Sequence, residues 1–185
     1  MAALTSLLLS LGLVAAGVWW STFRQSGVAA PVYARSVCTL VRDWQQAVDT
    51  GSTALVRSIA RQGDRKAIRA SVATYYTDLA DRTDALRGSL VAAGVVDLQG
   101  GQTYSNSLAT VVGHRSTALR ELASRAGRLD VGDAAAFQTS LQGLLTGAET
   151  AVSDVTSALG RPEAGTPAEL RLALGSEPAC APYVG

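Results

Sequence analysis

The sequence predicts an all-α protein: an up-down-up-down four-helix bundle with an N-terminal transmembrane or signal helix and a short C-terminal helix. Apolar residues recur at three- and four-residue steps almost throughout residues 31–160. Strand signals are nearly absent, and short turns join helical segments of similar length. We divide the chain into a transmembrane anchor or signal segment (1–24), a linker (25–30), the bundle (31–160), and a tail with a short helix and a cysteine clamp (161–185).

The first segment has the length and composition of a membrane span. Residues 2–20 carry no charge and would extend about 28 Å as a helix, close to the roughly 30 Å hydrocarbon core. Trp19 and Trp20 end the run, where amphipathic rings favour the membrane interface. We predict a retained single-span anchor. Because small-residue sites follow at 28–30 and 32–34, a cleaved signal peptide is the alternative.

The first bundle helix is expected over about Pro31–Arg61, with Pro31 suited to the first turn. Gly51 lies within the apolar stripe and is interpreted as a weak point of the helix rather than as a break. The other members of the stripe are Tyr33, Val37, Leu40, Trp44, Val48, Leu55 and Ile59.

The second helix is expected to start after an N-cap at Asp64 and to end at a C-cap at Gly94. Its apolar stripe comprises Ile68, Val72, Tyr75, Leu79, Thr83, Leu86, Leu90 and Ala93.

Two further long helices and a tail helix complete the chain. The third is expected over about 102–128, after a Gly-rich connection, and the fourth from an N-cap at Asp133 to Gly160. Thr166 and Glu169 have capping-box spacing ahead of a short apolar helix over 170–174.

Cys38 and Cys180 are the only cysteines in the chain. In an up-down bundle the start of the first helix and the end of the fourth lie at the same end, so a folded-back tail brings the two together. We therefore predict a disulfide and an oxidising compartment, against the alternative of two separate buried thiols.

Two features of the sequence predict opposite membrane topologies for the chain. Arg24, Arg35 and Arg42 follow the span and would place the body in the cytoplasm. The predicted disulfide places it outside, and we give the disulfide more weight. The expected location is the cell membrane, single-pass, with secretion after signal cleavage as the alternative.

One polar cluster is predicted from helix pairing. His114 is the only histidine, and antiparallel packing of the second and third helices places residue 82 opposite it. Besides Arg82, the cluster would contain Asp78, Asp81, Asp84 and Arg115, and could orient the imidazole, bind an anion or hold one metal ion. The alternative is an interhelical salt-bridge layer that sets the register of the helices.

Several further features have an ordinary packing interpretation. Trp44, Tyr75 and Tyr76 could line a ligand slot, but their helical spacing indicates core packing, with one of the two tyrosines left at the surface. Gly143 and Gly147 form a G-x-x-x-G step that permits close backbone approach.

Composition and motifs narrow the function classes. A net charge of +1 and 5% aromatic residues argue against nucleic-acid binding. Nucleophile elbows, P-loops, dinucleotide fingerprints and HExxH motifs are absent from the sequence. We expect no enzyme activity, catalytic residue, cofactor or metal site.

The segments Tyr33-Ala34-Arg35-Ser36-Val37-Cys38 and Pro178-Ala179-Cys180 carry a resemblance. With the anchor and the helices, the chain resembles uncharacterised small secreted or membrane-anchored helical proteins of actinobacteria. The resemblance implies the architecture and no activity.

The leading functional hypothesis is a non-enzymatic envelope protein, a membrane-tethered extracytoplasmic bundle that acts as a protein-binding, scaffold or accessory-subunit module. Its expected partners are the membrane, through the N-terminal helix, and a protein. The alternatives are a small-ligand or metal carrier that uses the interior of the bundle and an enzyme centred on His114.

Overall fold

The computed structural model describes residues 27–160 and 166–184, and within them the protein is all-α. The segment predicted as an anchor, with Trp19 and Trp20, lies outside the described residues. The helices are α1 (Ala30–Arg61), α2 (Arg65–Ala92), α3 (Gly101–Gly127), α4 (Ala134–Gly160) and α5 (Ala168–Ser176), followed by a single 3-10 turn at Pro178–Cys180.

The local sequence signals explain where the helices start. The Asp64 carboxylate accepts hydrogen bonds from the backbone N–H groups of Lys66 and Ala67, which α2 would otherwise leave unpaired. Asp133 does the same for Ala135 and Ala136 at the start of α4. Both predicted N-caps are therefore confirmed.

The tail differs from the prediction in one detail. The helix α5 starts at Ala168 with Pro167 at its N-cap position, where no side chain caps the backbone. The predicted capping box between Thr166 and Glu169 is therefore wrong, because the helix begins one residue too late for Thr166 to reach the first free N–H groups.

Consecutive long helices pack against one another, and α2 and α3 approach most closely. Small residues line this contact: Ala80 and Ser116 are fully buried, and the Ser116 hydroxyl donates a hydrogen bond to the Ala80 carbonyl at 3.2 Å. A Cβ at Gly113 would lie 3.0 Å from the Arg87 side chain. The tail packs on α1 through α5 and the 3-10 turn.

Loop contacts define two ends of the molecule. At one end Val28 forms a parallel bridge with Val96 in the α2–α3 loop, through bonds from Val28 N to Val95 O (2.7 Å) and from Asp97 N to Val28 O (3.0 Å). At the other end Arg65 Nε donates to the Val131 carbonyl at 2.7 Å and ties the start of α2 to the α3–α4 loop.

The core runs the length of the helices and is built mainly from Ala, Val and Leu, with a few large rings. Tyr33, Trp44, Tyr76, Tyr104 and Phe137 are all buried. The Trp44 ring N–H donates to the buried Thr83 hydroxyl at 3.2 Å, which satisfies its one polar atom.

None of the helices in the described part of the chain is both long and apolar enough to cross a membrane.

Candidate binding surfaces

A disulfide between Cys38 and Cys180 joins the first turns of α1 to the tail, and both residues are fully buried. The predicted pairing is therefore present in the structure. Their Cα atoms lie 5.1 Å apart, across a sequence separation of 142 residues. Beside it, Arg35 Nε pairs with Glu177 Oε2 at 3.3 Å, and the other oxygen of Glu177 accepts from the Ala179 N–H. Covalent and polar contacts together hold the tail against α1.

A groove of about 710 Å³ opens where the described chain begins. We call it the entry groove; its lining residues are Gly27, Ala29, Ala30, Pro31, Asp97, Leu98, Glu169, Leu172, Ala173 and Ser176. Leu172 is 73% exposed. On α1, Val32 follows the lining residue Pro31 in the sequence and is 58% exposed. Leu172 thus gives the groove an apolar wall that is open to solvent.

A second groove, of about 430 Å³, separates α1 from α2. Tyr75 forms one wall, and a Cβ on Gly51 would lie 3.0 Å from its ring, so the glycine in the α1 stripe makes room for the tyrosine. Burial and the nearby Asp49 carboxylate raise the pKa of Tyr75. Asp78 and Arg82 also line this groove.

A third groove, of about 330 Å³, lies between α3 and α4. Arg115 crosses it to pair with Asp154 at 3.0 Å. Because this cation is already paired with a carboxylate, the groove has no excess of charge that would attract an ion.

The predicted polar cluster around His114 is not assembled. Asp78 and Arg82 lie at the α1–α2 groove, and Arg115 turns to α4. His114 is exposed, and no described carboxylate lies within ion-pair distance of it. Ser116 faces α2 instead. Because two residues along a helix correspond to a rotation of about 200°, His114 points away from α2.

The interhelical salt-bridge layer does exist, but its cation is Arg120. One of its terminal nitrogens contacts Asp84 at 2.9 Å and Asp81 at 3.5 Å, and the other donates to Ser116 at 3.0 Å. The hydrogen bond from Arg120 holds the pKa of Asp84 below its usual range. The layer links α2 and α3 and offers no open coordination site.

Two buried tyrosine hydroxyls have no hydrogen-bond partner among the described residues, those of Tyr76 and Tyr104. Burial raises the pKa of both. The Tyr104 ring meets Tyr33 edge-on with ring centroids 6.3 Å apart, and the Tyr76 ring lies 5.4 Å from that of Tyr75. Tyr76 is the inward-facing member of its pair, whereas the predicted stripe contained Tyr75.

Within residues 27–160 and 166–184, no three His, Cys, Asp or Glu side chains converge in a way that could hold a metal ion.

The two glycines of the predicted G-x-x-x-G step in α4 have different surroundings. A Cβ on Gly147 would lie 3.2 Å from the Leu122 side chain of α3, so this glycine does permit a close approach of the two helices. A Cβ on Gly143 would face open space. Only one glycine of the pair therefore contributes to helix packing.

The entry groove and the Val28 bridge were not anticipated from the sequence. Residues 25–30 were expected to form a linker, yet Val28 is paired and Val96 is 2% exposed. The available signal was the isolated pair Val95-Val96 between Gly94 and Asp97, too short to be recognised as a bridge by periodicity.

Comparisons with protein-family models, curated protein sequences and solved structures found no match to this chain.

Proposed function

We propose that this protein is a non-enzymatic envelope module: a membrane-tethered, extracytoplasmic, up-down-up-down four-helix bundle that binds a protein partner. The disulfide between Cys38 and Cys180 carries the proposal. Disulfides persist in oxidising compartments and are rare in the cytosol, so a buried one supports a body outside the cytoplasm.

The tether rests on the uncharged run of residues 2–20. Only residues 21–26 separate this run from Gly27 at the entry groove, and six residues span at most about 20 Å. A bundle anchored in this way holds the entry groove close to the membrane surface. If the segment is cleaved, the same bundle is a secreted binding module.

The bundle arrangement is supported by the contacts at its two ends. The α2–α3 loop lies beside the start of α1, and the α3–α4 loop lies beside the start of α2. Antiparallel helices with short connections produce these end contacts. In the proposed bundle, α1 packs on α2 and on the tail, and α4 packs on α3.

The partner we infer for the entry groove is an apolar segment of a second membrane-anchored protein. The groove is lined by the exposed side chain of Leu172 and lies within short reach of the proposed anchor. A partner in the same membrane is thereby presented to the groove at a high local concentration.

The test starts with the full-length chain purified in mild detergent from its own cells. Intact mass with and without reductant, after cells are quenched in denaturant that contains the alkylating reagent, reports the state of Cys38 and Cys180, because denaturation exposes the two buried sulfurs. We expect both to resist alkylation without reductant. Free alkylation of both cysteines would remove the basis for the extracytoplasmic location.

Partner binding is tested with matched surface variants. Leu172→Glu changes the entry groove, and Leu145→Glu changes an exposed leucine in the middle of α4. We expect crosslinking in membranes to recover the same protein with wild type and Leu145→Glu and to lose it with Leu172→Glu. Equal recovery with both variants would contradict docking at the groove.

A further inference from the structure

The near-neutral net charge of the chain conceals an uneven distribution. We define the basic end as residues 57–69 and 121–133, which include the α1–α2 turn and the α3–α4 loop. The cationic residues in these ranges are Arg57, Arg61, Arg65, Lys66, Arg69, Arg125 and Arg128; the acidic ones are Asp64, Glu121, Asp130 and Asp133. The basic end therefore has a net charge of +3, within a chain of net charge +1.

The fold brings together two stretches that lie about sixty residues apart in the sequence. Arg65 donates to the carbonyls of Val131 (2.7 Å) and Gly132 (3.4 Å), and Arg69 donates to that of Leu129 (3.4 Å). These bonds tie the start of α2 to the α3–α4 loop. Because each stretch alone contains acidic residues, no polybasic run is visible in the sequence.

The cations of the basic end lack carboxylate partners within the described part of the chain. The ion pairs of the described part of the chain involve Arg35, Arg42, Arg115 and Arg120. None of them involves a cation of the basic end. Arg65 and Arg69 are half-buried, and the other five cations and all four acidic residues of the basic end are exposed. The net excess of three positive charges, with no ion pair to these cations, produces a positive potential that reaches about one Debye length into solution.

The composition of this surface favours a protein over other polyanions. Neither stretch contains an aromatic residue on which bases could stack. Four carboxylates are interspersed with the cations and would repel a uniformly charged phosphate polymer or lipid surface. A folded partner can place its own charges to match such a mixed pattern.

We propose that the basic end docks an acidic surface of a protein. The site is distinct from the entry groove, since α1 has 32 residues and holds the two about 45 Å apart. That the basic end points away from the membrane rests on the proposed tether. The binding of an acidic protein at the basic end does not depend on the tether. Charge complementarity of this kind accelerates association and selects the partner.

The test uses matched triple variants of the full-length chain in non-ionic detergent. One is Arg57→Gln/Arg61→Gln/Arg125→Gln at the basic end, and the control is Arg82→Gln/Arg87→Gln/Arg171→Gln, three exposed arginines elsewhere. The probe is a fluorescein-labelled acidic peptide in which Glu residues alternate with a smaller number of Lys residues, with binding followed by anisotropy at about 0.01 M and 0.15 M salt. Competitors are a DNA duplex of equal net charge and vesicles with a minor fraction of phosphatidylglycerol. Circular dichroism checks that both variants are folded.

The basic-end triple is expected to weaken peptide binding about threefold to a hundredfold, since each exposed ion pair contributes about 1.4- to 5-fold. The control triple should change it less than about twofold at 0.15 M salt, where charges are screened beyond about 8 Å.

Equal losses in the two triples would overturn the proposal, as would tighter binding of the duplex or the vesicles than of the peptide at 0.15 M salt. Peptide binding is measured independently of cysteine alkylation and of crosslinking with Leu172→Glu. The proposed function and the proposed binding at the basic end can therefore be contradicted separately.

Discussion

At the scale of single residues, the core contains both satisfied and unsatisfied polar groups. Thr83 accepts from the Trp44 ring N–H at 3.2 Å and donates to the Leu79 carbonyl at 2.7 Å. Tyr76 is equally buried, yet its hydroxyl has no partner among the described residues. Since an unpaired buried polar group costs more than a paired one contributes, the two sites should respond oppositely to removal of the hydroxyl.

Thr83→Val keeps the shape of the side chain and leaves the Trp44 N–H buried without an acceptor. We expect it to lower the free energy of unfolding by about 1–3 kcal/mol. Urea denaturation followed by tryptophan fluorescence measures the change.

Tyr76→Phe keeps the ring and removes the unpaired oxygen. We expect stability to stay constant or to rise by up to about 1 kcal/mol in the same denaturation assay. A loss comparable to that of Thr83→Val would show that the Tyr76 hydroxyl is hydrogen-bonded after all.

Two glycines of α4 differ in the space available for a side chain and provide a pair of comparable substitutions. A Cβ at Gly143 meets nothing within 4 Å, whereas one at Gly160 would collide with the Tyr183 carbonyl of the tail. Gly143→Ala should therefore stabilise the protein by about 0.5–1 kcal/mol, the usual helix preference for alanine. Gly160→Ala should destabilise it and expose the tail to proteolysis; a stabilising Gly160→Ala would refute the close approach of tail and helix.

At the scale of helices, local signals were sufficient for most boundaries. Apolar spacing and the caps at Asp64 and Asp133 act within one helical turn, so they can be recognised without knowledge of the fold. The partners of polar side chains could not be predicted in the same way. Residues 114, 115 and 116 point in three directions about 100° apart, and only the final rotation of α3 decides that Ser116 faces α2 and Arg115 faces α4.

The contact between α2 and α3 provides a pH prediction. The Arg120 hydrogen bond depresses the pKa of Asp84, so the carboxylate stabilises the folded state above its ordinary pKa of about 3.9 and loses that contribution as the pH falls through the lowered value. Arg120→Gln should therefore lower the melting temperature at pH 7 but have little effect at a pH low enough to protonate Asp84 in the wild-type protein. An equal deficit at both pH values would show that Arg120 acts by packing rather than by charge.

At the scale of the molecule, the chain is closed on itself by one covalent link. The disulfide spans 142 residues, and the chain-entropy model assigns about 5 kcal/mol to a loop of that size. Replacing both cysteines with serine, or adding reductant, should cost up to that amount in the free energy of unfolding, as measured by urea denaturation. If reduction leaves the unfolding midpoint unchanged, the disulfide contributes nothing to global stability.

The sequence alone predicted the pairing of Cys38 and Cys180 because few alternatives exist with two cysteines and because both were expected at one end. The basic end could not be predicted from the sequence because its cations come from two distant stretches. Arginine side chains of one stretch donate hydrogen bonds to backbone carbonyls of the other. Hydrophobic periodicity determines which face of a helix is buried, but it contains no information on which loops meet.

The bridge between Val28 and Val96 also determines how freely a tethered bundle could move. Two backbone hydrogen bonds hold Val28 to the α2–α3 loop, so the chain at Val28 cannot rotate freely relative to the entry groove. For the proposed anchored protein, the groove then lies within about 20 Å of the end of the anchor, the longest distance that six residues can span. A partner in the same membrane is confined to that layer, so it would meet the groove more often than the same protein free in solution.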